Sequence, residues 1–132
     1  MKTWVRRAWA SPTTVFGLVL APLALAGGRV RVVDGVIEAS GGLLAPLLSR
    51  GNPWFPIQAI TLGHVVLGVS VEALGRCRVH ERVHVRQYET WGPLFPLLYL
   101  ASSAAALGRG RGAYAGNAFE REAFAAEGRP AS

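Results

Sequence analysis

Hydrophobic positions along this chain fall into blocks separated by short polar or glycine-rich punctuation. Residues 8–28 carry no charge and lie between Arg7 and Arg29. As one helix this stretch would rise about 31 Å, close to the hydrocarbon thickness of a bilayer. Ser11-Pro12 supplies an N-cap and an N1 proline, which predicts a helix start near Thr13. Two β-rich runs follow, Arg29–Val33 and 36–39, around Asp34-Gly35, the strongest local hairpin signal in the chain. Residues 43–48 predict a short helix, 52–56 an aromatic loop, and 60–67 (ITLGHVVL) a single strand rich in β-branched side chains. The pattern over 72–90 predicts a long helix that stops at Gly92-Pro93. Residues 94–107 predict a further apolar helix and 109–116 a glycine-rich loop. Asn117 is the expected N-cap of a last helix over 118–127, ended by Gly128 and Pro130.

These elements predict a helix-dominant α+β fold: a motif helix, a small hairpin-and-strand element and a C-terminal helix. The expected division is residues 1–28 as a membrane anchor or signal segment and 29–132 as the domain proper; a buried globular helix is the third reading of residues 8–28. In the signal reading Lys2, Arg6 and Arg7 form the basic n-region, 15–25 the apolar core and Ala24-Leu25-Ala26 the cleavage site.

Composition sharpens this picture. Hydrophobic residues make up 51% of the chain against 17% charged, which is apolar for a domain of this size. The net charge of +6 comes from 13 Arg and a single Lys, a bias that, with abundant Ala and Gly, points to a GC-rich bacterial source. The arginines are scattered among apolar stretches, and no basic run interleaves with aromatics as a nucleic-acid groove requires. Membrane lipids are therefore the expected partner of the positive charge, with a bacterial inner-membrane or exported location. Cys77 is the only cysteine, which excludes an intrachain disulfide and a multi-cysteine zinc site.

The chemistry sits inside the long predicted helix, where residues 80–84 read His80-Glu81-Arg82-Val83-His84, an HExxH motif. Residues four apart on a helix lie about 6 Å apart along the axis and only some 40° apart around it, so two imidazoles can meet one tetrahedral zinc. Glu81 is rotated by about 100° from His80, beside the metal rather than on it. That position suits a general base that activates a zinc-bound water.

HERVH, followed by a later acidic segment bearing Glu-x-x-Ala, resembles the gluzincin branch of zinc metallopeptidases. In that group the third protein ligand is a glutamate on a later helix and the motif glutamate is the catalytic base. The resemblance covers roughly the C-terminal half of the chain and implies zinc held by His80, His84 and Glu120, catalysis through Glu81, and a peptide or protein substrate. Two positions depart from the family pattern. Arg82 replaces a usually uncharged residue, and Phe124 stands where a carboxylate would support a ligating histidine. A second reading is a membrane-associated structural or partner-binding protein whose motif is inert.

Glu122 and His64 are the alternative third ligands. Glu120 and Glu122 point about 160° apart on a helix, so at most one can face the site. Arg78, Arg82 and Arg86 recur every four residues, as a solvated face with an Arg86–Glu89 pair or as contacts to lipid phosphates. Gln87 and Trp91 share the ligand face and are expected to floor the site, and Tyr88 is expected in the core. If residues 8–28 and 90–108 both crossed a bilayer, Glu120 would be separated from the two histidines. A three-ligand site therefore requires at most one span, with the segment after Pro93 turning back over the motif helix.

Overall fold

The computed structural model describes residues 3–50 and 57–128. The expected aromatic loop at 52–56 and Pro130 lie outside the described residues. Helix α1 spans Thr3–Leu20 and continues as a 3-10 turn over Ala21–Leu25. It does not start near Thr13 but runs through Pro12. Proline has no N–H to give the carbonyl of Ala8, and the hydroxyl of Ser11 donates to that oxygen instead at 2.7 Å. The residue expected to cap a helix start thus repairs a helix interior.

Strands β1 (Arg29–Val33) and β2 (Val36–Ser40) form the expected hairpin. Asp34 and Gly35 both take positive φ, 52° and 78°, the twist that suits a two-residue turn. Helix α2 covers Leu44–Arg50. The run expected as one strand is a second hairpin, β3 (Ala59–Leu62) and β4 (Val65–Gly68). Gly63, at φ 64°, makes the reversal, and a Cβ there would collide with Thr14 of α1. Gly63-His64 does not read as a turn because it stands inside a run otherwise made of apolar and β-branched residues, and β4 is buried along its whole length.

Among the described residues the sheet has the order β1-β2-β4-β3, with β2 and β4 parallel and Ile37 opposite Val65. Its two faces are covered by different elements. Ala39, Val65 and Leu67 pack with Ala21 and Ala24 from the 3-10 turn after α1 and with Leu44 and Leu48 of α2. On the other face Val36 and Val66 pack with Leu74 and Val85 of α3, the helix Val71–Trp91. The motif helix therefore lies on one side of the sheet and α1 with α2 on the other.

Helix α3 starts at an N-cap, where the Ser70 hydroxyl accepts from the amide of Ala73, and ends at Gly92, φ 56°. A short 3-10 turn at Gly92–Leu94 redirects the chain into α4 (Phe95–Gly108). At 14 residues α4 rises only about 21 Å, too short to cross a bilayer. It turns back, as a three-ligand site required. Asn117 then caps α5 (Ala118–Ala126), accepting from the amides of Phe119 and Glu120. The helix-dominant α+β expectation is met.

Candidate metal centre

The two motif histidines and Glu120 come together although 36 and 40 residues separate them in sequence. One oxygen of Glu120, Oε1, lies 2.9 Å from His80 Nε2 and 2.6 Å from His84 Nε2. A ligand atom from each of the three residues lies within 4.8 Å of the others, and all three side chains are buried. Glu120 is placed by the first turn of α5, which the Asn117 cap anchors. The Asn117 amide in turn donates to the Tyr99 carbonyl and the Ser103 hydroxyl of α4.

The other ring nitrogen of each histidine is also held. His80 Nδ1 lies 3.0 Å from Glu127 Oε1, and His84 Nδ1 lies 2.8 Å from Gln87 Oε1. The Gln87 amide orientation follows from its nitrogen donating to the Phe119 carbonyl. A carboxylate and an amide oxygen can only accept, so both Nδ1 atoms carry the proton in the neutral rings. Each Nε2 then presents a lone pair toward a carboxylate oxygen that also presents lone pairs. Three acceptors converging on one buried point repel unless a cation lies between them, whether protons on the imidazoles or a metal ion. Around a tetrahedral zinc with bonds of about 2.0 Å, neighbouring ligand atoms are about 3.3 Å apart, so the observed pairs need open by well under 1 Å. The donor set fits a zinc ion.

Electrostatics follow from this packing. Burial alone would raise the Glu120 carboxyl, but when the Nε2 atoms of His80 and His84 carry protons their hydrogen bonds outweigh it and hold the group at about 2. Burial would lower His84, yet Glu120 keeps it above its usual value. Glu81 is raised by burial, partly opposed by His84 and by the hydroxyl of Thr61, which donates to Oε2 at 2.6 Å. Thr61 belongs to β3, so this bond ties the motif helix to the sheet edge.

The alternative ligands lie outside the cluster. His64 occupies the β3–β4 turn, its amide bound to Thr14 Oγ1 and its Nε2 3.6 Å from Glu89, outside the cluster. Glu122 is exposed. Arg78 and Arg82 are not a solvated face: both hydrogen-bond the buried carboxylate of Glu38 on β2, Arg82 at 2.7 Å, and Arg82 also reaches the Val33 carbonyl. The charge at position 82 is thus paired by the sheet below it through Nη2, while its Nη1 is buried without a hydrogen-bond partner. Gln87 supports the site, but Trp91 is exposed, because the helix ends there and the chain turns away. Tyr88 packs in the core on Phe95, 4.6 Å between ring centres.

Three supports had no readable signal in the sequence. Tyr99 of α4 donates to Glu120 Oε2 at 2.9 Å, and Tyr114 hydrogen-bonds the same carboxylate. Glu127, one turn beyond Phe124, supplies the carboxylate to His80 that position 124 lacks, while Phe124 stacks edge-on against the His80 ring at 4.7 Å. Compared with protein-family models, curated proteins and solved structures, the chain matches none.

Proposed function

We propose that this chain is a zinc-dependent hydrolase of peptide type, with His80, His84 and Glu120 holding the ion and Glu81 as the general base. The observation that carries the reading is the convergence of two Nε2 lone pairs and a carboxylate oxygen on one buried point, each Nδ1 being held from behind. Bound zinc would bring the pKa of a coordinated water down to around 7 and polarise a substrate carbonyl.

The chain's own groups account for the rest. Glu81 lies one residue from the first histidine, and burial raises its basicity toward the working range of a proton acceptor. Thr61 fixes one oxygen of that carboxylate. Tyr99 and the Asn117 cap fix Glu120. A peptide substrate suits the surroundings: β3, which carries Thr61, pairs among the described residues with β4 alone, and an extended peptide can add to such an edge.

Metal analysis of the purified chain tests the first step, with about one equivalent of zinc expected. Less than about a tenth of an equivalent, unchanged by His80→Ala, would sink the reading and leave protonated imidazoles as the filler of the site. Glu81→Gln should keep zinc and abolish cleavage of a peptide library. Zinc-loaded wild type that cleaves nothing would favour the inert, membrane-associated alternative.

A further inference from the structure

One N-terminal helical segment, Thr3–Leu25, is long and apolar enough to cross a membrane, and only 22% of its most apolar window is buried. The buried part is the informative part. Ala10, Gly17, Ala21 and Ala24 face inward at spacings of seven, four and three, which keeps them on one side of the segment. Glycines stand on both sides of this contact where a Cβ would not fit. A Cβ on Gly17 would sit 2.7 Å from Val65 Cβ, and a Cβ on Gly63 or Gly92 would collide with Thr14 or the Trp9 ring. Trp9 Nε1 donates to the Thr90 carbonyl at the end of α3, and Thr14 Oγ1 accepts from the His64 amide. The segment is docked from Ala10 to Ala24, roughly 20 Å, and covers the sheet face that carries Ala39, Val65 and Leu67.

The opposite side is apolar and open: Trp4, Val15, Phe16, Leu18, Val19 and Leu25 are exposed. Val30 and Val32 of β1 are exposed as well. Exposed arginines flank the stretch, Arg6 and Arg7 near its start and Arg29 just beyond its end. If α1 crossed a bilayer while docked, the sheet and α3 would enter the hydrocarbon beside it, with Glu38, Arg78 and Arg82.

We propose that α1 is neither a cleaved leader nor a free-standing span. It is one layer of the folded domain, lying in the plane of an anionic bilayer surface with its outer face in lipid. An apolar face bordered by arginines is the chemistry that such a surface recognises, acyl chains below and phosphates at the rim.

The test uses the full chain with Cys77→Ser and single cysteines at Thr3 or Ala26, both exposed. In sealed bacterial membrane vesicles an impermeant maleimide should treat the two positions alike, because they lie on one side. One reactive and the other protected until detergent is added would overturn the proposal, as would an intact mass showing cleavage after Ala26. Purified chain should bind phosphatidylglycerol vesicles more strongly than phosphatidylcholine vesicles. Phe16→Ser with Val19→Ser should weaken that binding at least about tenfold while leaving the thermal midpoint in place. Wild type that stays in solution with both lipids, or a double variant that binds unchanged, would refute the lipid-facing role. Gly17→Leu should lower the thermal midpoint by forcing α1 off Val65; an unchanged midpoint would show α1 undocked. If that variant fails to fold, the cysteine pattern still decides.

Discussion

Replacing Glu120 by alanine, with Glu122→Ala as its control, separates a built three-ligand site from two histidines that happen to share a helix face. Oε1 of Glu120 is the atom on which both imidazoles converge, at 2.9 and 2.6 Å, and Oε2 is tied to Tyr99 at 2.9 Å. Glu122, two residues on, is exposed. With zinc, removal of the third protein ligand should weaken binding at least tenfold, about 1.4 kcal/mol or more. Without zinc the carboxylate still matters. Its fall from 4.5 to about 2 corresponds to roughly 3 kcal/mol of preference for the charged form beside the imidazoles. Glu120→Ala should therefore also lower the midpoint of the chelator-treated protein at a pH where the imidazoles carry the Nε2 protons. A competition titration against a chromophoric chelator reads the first effect and thermal unfolding in chelator the second. Equal zinc affinities for the two variants, or no loss from Glu120→Ala, would remove Glu120 from the site and the gluzincin reading with it.

Glu127→Gln should reduce zinc affinity about 10- to 100-fold with the fold retained, because it loosens the ring of His80 rather than removing a ligand; the same titration checks it. Thr61→Val removes a hydrogen bond that opposes the rise of Glu81. Activity that needs the Glu81 carboxylate is lost as pH falls through that group's pKa, so the acid limb of a pH–rate profile should move to higher pH in this variant, and an unmoved limb would exclude Glu81 as the titrating base. Glu38→Ala strands Arg82 and Arg78 and should cost about 2–3 kcal/mol in denaturant unfolding. Burial tends to raise Glu38, but the arginines hold it below 4.5, so its contribution is present above that pH and lost as pH falls through the depressed folded value.

What the sequence determined by itself was local. Four-residue spacing on a helix puts His80 and His84 on one face wherever that helix sits, and Asp34-Gly35 makes a hairpin turn because few other pairs tolerate two positive φ values. Gly92 and Asn117 act through hydrogen bonds within a few residues, so the end of α3 and the start of α5 could be read from the chain alone. Glu120 was legible only through resemblance to a family pattern; its approach to the histidines depends on α4 turning back. The β3–β4 turn stayed hidden because Gly63-His64 is a short break between two short runs of apolar and β-branched residues, which alternation alone does not separate from one strand. The roles of Thr61, Tyr99 and Glu127, the pairing of Arg82 with buried Glu38, and the docking of α1 on the sheet needed the tertiary structure. Each is a contact between elements distant in the chain or a choice of helix face, and no periodicity encodes which elements meet. That is settled when the apolar faces of α1, α3 and the sheet are buried together, and the polar groups caught between them must find partners where they land.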